Sequence, residues 1–198
     1  MNLRLITLLV AFLALPASSQ AADEPAAAAL AARAAVLQTV ARGATVTSNQ
    51  QQYQVLAGAR AVESQQQEQP QDAITRAGGG KLIETKGAFV VFAAGQRHAP
   101  VVASTNNATT YPTVINTRTG VVGVLPGTLK VKPKNMANAQ AIAADHGLVL
   151  VRAFAHLQTA FYRVNVGQDV VAAAAALAAD PRVASAEVEV IEHVRIPQ

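Results

Sequence analysis

The chain has 198 residues, of which 51% are hydrophobic and 14% are charged, and its formal net charge is +4. The lysines and arginines are scattered, and no basic run is interleaved with aromatic residues, so the composition argues against nucleic-acid binding. The sequence has no cysteine, which excludes disulfides, thiolate nucleophiles and cysteine metal sites.

The N-terminus has the three parts of a secretory signal peptide. A short basic head precedes the apolar residues 5–15, Pro16 ends that run, and small residues follow. The run is too short for a membrane span, which needs about 20 residues. We expect cleavage after Ala21 or Ala22, so residues 1–21 are predicted to be a signal peptide. The mature protein is then periplasmic or secreted and has no membrane attachment.

Residues 22–80 are rich in alanine and glutamine. Apolar residues recur at helical spacing over 25–41, and alanine has the highest helix propensity, so a helix is predicted there. The glutamine-rich stretch 50–71 has few apolar residues and is interpreted as a second helix or, preferably, a spacer. Three glycines at 78–80 predict a flexible joint. The whole segment is therefore predicted to be a helical or disordered arm or linker.

Residues 81–126 change to short β-branched or aromatic runs separated by turn residues, a pattern that predicts two β-hairpins. Two hairpins alone are marginally stable in water. We therefore expect this β-hairpin extension to pair with, or pack against, the segment that follows. The predicted strands cover residues 88–92, 101–103, 113–115 and 121–125.

Residues 127–198 contain the predicted order strand, helix, strand, strand, helix, strand. Asn135 and Asp169 are expected to cap the two helices, and Gly147 to end the first. Because each helix must cross back over the sheet, the order predicts an α+β fold, a ferredoxin-like βαββαβ antiparallel sheet with both helices on one face. The core predicted for this domain includes Tyr162, Val164, Val166, Leu177, Val188 and Val190.

The last predicted strand alternates apolar and acidic residues. Side chains of a strand point alternately to the two faces of a sheet. Ala186, Val188 and Val190 are therefore expected to face the helices. Glu187 and Glu189 are expected to stand together on the opposite face, which the helices leave open.

Three segments of this domain, 143–151, 160–166 and 177–189, resemble successive segments of subtilisin propeptides. The third is the most specific, because it combines a leucine, an Asp-Pro pair, a valine and two acids at alternate positions. The resemblance covers residues 127–198. A propeptide is followed by its own protease domain, whereas no protease sequence follows here. In this the chain is similar to the external chaperones of propeptide-deficient subtilisin-like serine proteases.

The resemblance implies that the protein assists folding of a subtilisin-like serine protease and inhibits it. It implies that the open sheet face docks on two protease helices, with Glu187 and Glu189 at their N-termini, where carboxylates are favourable. A second interpretation, that these acids pair with Lys130 and Lys132 on the neighbouring strand, stays open. The tail that is implied to occupy the substrate cleft comprises Glu192, His193, Val194, Arg195, Ile196, Pro197 and Gln198.

Two placements of that tail remain open: Arg195 in the primary pocket, or the carboxylate of Gln198 carried into the site. No catalytic set can be assembled from the sequence, and the four histidines are interpreted as polar surface residues. We expect no enzyme activity, cofactor, metal or small-molecule substrate. The alternative function is an envelope or secreted interaction module with a ferredoxin-like domain and no protease partner.

Overall fold

Two antiparallel sheets and four α-helices make up the part of the chain that the structure, a computed structural model, describes, namely residues 24–105 and 108–192. The protein is therefore of mixed α+β class, as predicted. The predicted signal peptide lies outside these residues. The division of the chain into arm, hairpin extension and C-terminal domain stays a prediction.

The seven strands of the first sheet are β1 (Arg42–Ser48), β2 (Gln51–Glu63), β3 (Lys81–Lys86), β4 (Phe89–Ala93), β5 (Ala103–Thr105), β6 (Ala108–Asn116) and β7 (Val122–Val124). They lie in the order β3-β4-β2-β6-β5, with β1 added to β2 and β7 added to β6. Helix α1 (Glu24–Thr39) precedes the sheet, and helix α2 (Pro70–Arg76) connects β2 to β3.

Strand β2 corrects the prediction of a glutamine-rich helix or spacer. It pairs with β1, β4 and β6 and lies in the middle of the sheet. Its residues are buried on both faces, including Leu56, Ala59 and Val62 at 0–1% exposure. A two-sided strand of this kind lacks alternation, and its packing overrides the helix propensity of alanine and glutamine.

The glycines predicted to be a flexible joint form the turn after α2. The N–H groups of Gly78 and Gly79 donate to the carbonyls of Thr75 and Ile74 at 3.1 and 2.8 Å. Both glycines have positive φ angles, which other residues adopt only with strain. The glycines thus end α2 and lead into β3. The helix that was predicted over residues 25–41 is confirmed as α1.

The elements of the second half are, in chain order, β8 (Thr128–Pro133), α3 (Ala139–Asp145), β9 (Val149–Phe154), β10 (Thr159–Arg163), α4 (Val170–Ala179) and β11 (Val183–Val188). The four strands form the second sheet in the order β11-β8-β10-β9, with every neighbouring pair antiparallel.

The predicted helix signals of this half are confirmed. Asn135 Oδ1 accepts from the N–H of Ala137 in a short 3₁₀ turn before α3. Asp169 Oδ1 accepts from Val171 and Ala172 at 2.8 Å each, which satisfies two free N–H groups at the start of α4. Gly147, with φ 63°, follows the end of α3.

Both helices cover the sheet face that carries Leu129 and Tyr162. Tyr162 is fully buried, and its hydroxyl donates to the carbonyl of Ala139 in α3 at 3.0 Å. Leu177 of α4 belongs to the same buried cluster. Val166 was predicted to be in this core but is 62% exposed, because β10 ends at Arg163 and the chain leaves the sheet there. Val190 is only partly buried.

The two sheets pack against each other. The Ser48 hydroxyl at the end of β1 donates to the carbonyl of Val188 in β11 at 2.7 Å. Elsewhere between the two halves of the chain, the N–H of Gly167 donates to the carbonyl of Val102 at 2.7 Å. One buried cluster contains residues of both halves, such as Tyr53 and Leu129. The first sheet therefore packs against the second, as was predicted for residues 81–126 and the segment that follows them.

Candidate functional site

The sheet face opposite α3 and α4 carries polar and aromatic side chains. In β8 they alternate with the buried Leu129 and Val131. Register places Glu187 opposite Lys130, Lys130 opposite Phe161, and Phe161 opposite Arg152. We call this surface the open face and define it by Lys130, Lys132, Arg152, Phe154, Phe161, Arg163 and Glu187.

An aromatic and basic group occupies the β9–β10 side of the open face. The rings of Phe154 and Phe161 meet edge to face, with centroids 6.0 Å apart and planes at 86°. The guanidinium carbon of Arg152 lies 5.5 Å from the centroid of Phe154, within cation–π range. Phe154 and Phe161 are both half-buried. This group offers a partner apolar area with a cation beside it.

The acidic side of the open face is at β11. Glu187 lies opposite Lys130, but no ion pair joins their side chains within the described ranges. Glu187 Oε2 instead accepts from the backbone N–H of Asn49, in the β1–β2 turn, at 3.4 Å. Glu189 is exposed just past β11, and its N–H donates to the carbonyl of Thr128 at 2.9 Å. The roles of Glu187 and Glu189 in partner binding stay predictions.

The first residue of the predicted tail is held by the first sheet. Ile191 and Val124 exchange two backbone hydrogen bonds of 2.9 and 3.0 Å. Lys86 Nζ donates to the backbone carbonyl of Glu192 at 2.7 Å. Asn116 Nδ2 donates to Glu192 Oε1 at 2.9 Å. The first sheet therefore fixes the position of Glu192, where the predicted tail begins. Residues 193–198 lie outside the described residues.

Two further contacts belong to this anchor. Gly123 lies so close to Val190 that a Cβ atom at position 123 would come within 2.5 Å of a Val190 methyl carbon. Tyr53 lies nearby, and burial, followed by the negative charge of Glu192, raises the pKa of its hydroxyl. The side chain of Glu192 thus points into the first sheet rather than away from it.

A charged cluster joins the ends of α3 and α4. The Arg182 guanidinium contacts Asp180 at 2.6 Å and Asp145 at 2.7 Å. His146 Nε2 lies 2.9 Å from Asp180 Oδ2, so this histidine has a partner that the sequence did not predict. Hydrogen bonds from Arg182, then from His146, hold the pKa of Asp180 far below its usual range, and those to Asp180 raise the pKa of Arg182. The cluster links the ends of α3 and α4 on the side of the sheet opposite the open face.

His98 and His156 belong to no metal-binding group in the part of the chain that the structure describes. His98 and His156 are exposed, and His193 lies outside the described residues. Over residues 24–105 and 108–192, no group of three or more histidine or acidic side chains could hold a metal ion. No helix in these ranges has the length and hydropathy needed to cross a membrane.

Sequence reasoning found the acids of β11 but missed Arg152, Phe154 and Phe161. In β10, Phe161 lies between the buried Ala160 and Tyr162, and this alternation was the available signal. In β9 no residue is buried, so Arg152 and Phe154 had no such signal. The contacts of Lys86 and Asn116 with Glu192 had no local signal at all, because they join distant parts of the chain.

Comparison with known proteins gives two similarities. Residues 27–195 match the family described as "Open reading frame 2 N-terminal domain". A crystal structure of the Aeromonas sobria serine protease (ASP) in complex with the chaperone (ORF2) contains a chain with 22% identity and a TM-score of 0.37, over 49% of this chain and 99% of that one. No curated protein matches the chain in sequence.

Proposed function

Because the chain belongs to the family of open reading frame 2 N-terminal domains, we propose that it assists folding of a subtilisin-like serine protease and then inhibits it. Membership confirms the predicted kinship with external protease chaperones. The observation that carries the mechanism is the open face, which lies opposite α3 and α4 and carries an aromatic and basic group on its β9–β10 side.

The second sheet with its two helices is interpreted as a ferredoxin-like βαββαβ unit. The strand order β11-β8-β10-β9 and the placement of α3 and α4 support this. In such a unit both helices lie on one face, so the other face is available to a partner. The supporting cluster around Asp180 keeps the helix ends fixed while that face is in use.

Chaperoning is assigned to the open face. A folding protease has to bring separated helices together, and a preformed rigid surface lowers the entropy cost of doing so. Phe154 and Phe161 supply apolar contact area, and Glu187 and Glu189 supply carboxylates for helix N-termini, worth about 0.3–1 kcal/mol each at exposed sites. The basic residues Arg152 and Arg163 would meet helix C-termini or acidic side chains of the same partner.

Inhibition is assigned to the tail, residues 192–198. An extended segment can pair its backbone with the edges of a substrate cleft and so exclude substrate. Two backbone hydrogen bonds at Ile191 and the side-chain contacts of Lys86 and Asn116 support this assignment, since they fix the origin of the tail. A segment whose start is fixed loses less conformational entropy when it binds.

We place both actions after export, in the periplasm or outside the cell, because residues 1–21 have the pattern of a signal peptide. The protein would act by binding alone, without a cofactor or catalytic chemistry of its own.

The test uses the denatured cognate serine protease and three forms of this chain: the full chain, a chain that ends at Ile191, and the full chain with Phe161→Ala. Recovered protease activity after refolding and inhibition of the mature protease are measured separately. We expect the truncated chain to assist refolding but inhibit poorly. We expect Phe161→Ala to impair refolding assistance more than it impairs inhibition. Full inhibition by the truncated chain would contradict the tail mechanism.

A further inference from the structure

Arg60 lies inside the first sheet, in the C-terminal half of β2, and is only 5% exposed. Its Nη2 donates to the carbonyl of Val101 at 2.7 Å and to the carbonyl and hydroxyl of Thr110 at 3.1 and 2.9 Å. Its Nη1 donates more weakly, at 3.4 Å, to the carbonyl of Ala99. All four acceptors are neutral, so they satisfy hydrogen bonds without neutralising the charge.

No carboxylate among residues 24–105 and 108–192 pairs with this guanidinium. Arg33, Arg76 and Arg182, which are more exposed, each contact an acid at 2.6–2.7 Å. Burial alone lowers the pKa of Arg60 to about 10, so the side chain remains protonated at neutral pH. A buried charge without a counter-charge is costly, and proteins normally pair it.

A cavity of about 370 Å³ lies beside Arg60. Phe92, Ala94, Val101 and Ala103 form apolar parts of its wall. The polar part consists of Arg60 with Gln96, His98 and Thr110. A guanidinium has five N–H donors, and the bonds within the described chain occupy only Nη1 and Nη2. Donor capacity and positive charge therefore remain in the wall of a cavity that also has apolar surface.

We propose that this cavity is a binding site for a carboxylate carried on a small apolar body. The carboxylate would supply the counter-charge that Arg60 lacks and accept from its free donors, an arrangement that guanidinium geometry favours. The apolar body would bury against Phe92 and Val101. A free organic acid and the C-terminal residue of a peptide share this chemistry.

His98 provides a readout that does not depend on changing Arg60. It lies at the exposed rim of the cavity, and its pKa is lowered by partial burial and then by the charge of Arg60. A carboxylate bound at Arg60 offsets that positive charge. Binding should therefore raise the pKa of His98, and a neutral molecule of the same shape should not.

The experiment titrates His98 by NMR in the purified full chain, with benzoate or benzamide added, and measures both affinities. We expect benzoate to bind at least about tenfold more tightly than benzamide, a difference of about 1.4 kcal/mol, and to raise the His98 pKa. N-acetyl-dialanine and its C-terminal amide form a second pair. Preference for the free peptide acid over its amide assigns a peptide end as a ligand, and a preference confined to benzoate assigns a free organic acid.

Variants locate the ligand. Arg60→Lys keeps the charge but loses the planar fork, so benzoate affinity should fall while binding persists. Arg97→Met, an exposed residue of the same loop, is the matched control and should leave affinity unchanged. Equal affinity for acid and amide in the unmodified chain would overturn the proposal, as would benzoate binding that leaves the His98 pKa unchanged. Both of these outcomes are measured on the unmodified chain, so they depend neither on the folding of a variant nor on the protease.

Discussion

Lys86 Nζ donates a 2.7 Å hydrogen bond to the backbone carbonyl of Glu192, across 106 positions of sequence. Lys86 is the last residue of β3, and Glu192 is the first residue of the predicted inhibitory tail. The first sheet, which sequence analysis interpreted as an arm and an extension, thus contacts the segment assigned to inhibition. This contact gives that sheet a testable role.

Replacing Lys86 with methionine should weaken inhibition. The change keeps the length of the side chain but removes the donor to Glu192, so the tail starts from a less defined position. We expect the inhibition constant to rise about three- to tenfold, in line with the loss of one hydrogen bond. Lys81→Met, an exposed position on the same strand, is the control. An unchanged inhibition constant, measured with the mature protease, would remove Lys86 from the mechanism.

Replacing Phe161 with alanine should weaken the complex with the protease by about 2 kcal/mol, since aromatic residues at the centre of an interface contribute most to binding. The same change should cost the folded chain less, because the ring is only half-buried. Leu30→Ala in α1, where the side chain is 63% exposed away from the open face, is the control. Calorimetric titration gives the affinity, and urea unfolding the stability. Equal affinity for both variants would exclude the open face.

Converting Glu187 and Glu189 to glutamine should reduce affinity by about 0.3–1 kcal/mol per residue, if each carboxylate meets a helix N-terminus of the protease. The affinity of the double variant should also depend less on salt, because salt screens the lost attraction. Glu63→Gln, an exposed acid on the first sheet, serves as the comparison. Should the double variant bind like the unmodified chain at low salt, the acid pair has no part in docking.

Stability should fall in acid because of Asp180. Hydrogen bonds from Arg182, and then from His146, hold the pKa of Asp180 below its value in the unfolded chain, about 3.9. A depressed folded pKa adds stability that is fully present above the unfolded pKa and is lost as the pH falls toward the folded value. Asp180→Asn should therefore lower the urea midpoint at about pH 6 and reduce its further decline toward about pH 2.

Asp72→Asn, in the first turn of α2, is the matched control for Asp180→Asn. It should leave both the midpoint at neutral pH and its acid dependence close to those of the unmodified chain. If Asp180→Asn lost stability with acid as steeply as the unmodified chain, the cluster around Arg182 would not be the source of the dependence.

The second half of the chain was largely predictable because its signals are local. Asn135 and Asp169 cap the turns that follow them, and Gly147 takes the left-handed conformation after α3. Leu129 and Val131 alternate with lysines in a strand that has one buried face. Each of these signals depends on residues within a few positions of one another. Glu187 could be placed on the open face for the same reason.

The first half was not predictable in this way. Strand β2 is buried on both sides, so its apolar residues do not alternate, and its alanines and glutamines favour a helix when taken alone. The buried position of Arg60 could not be foreseen either, because its acceptors at Ala99 and Val101 lie 39 and 41 residues away. Tertiary packing decided these features.

The contacts between the two sheets have a consequence for how the molecule folds. Ser48 of β1 contacts Val188 across 140 positions, and Val124 of β7 pairs with Ile191, so the end of the second sheet is completed by strands from distant parts of the chain. Contacts between such distant residues require closure of long loops before they return any stabilisation, and they slow folding. We therefore expect the position of Ile191 to become fixed only after both sheets have joined.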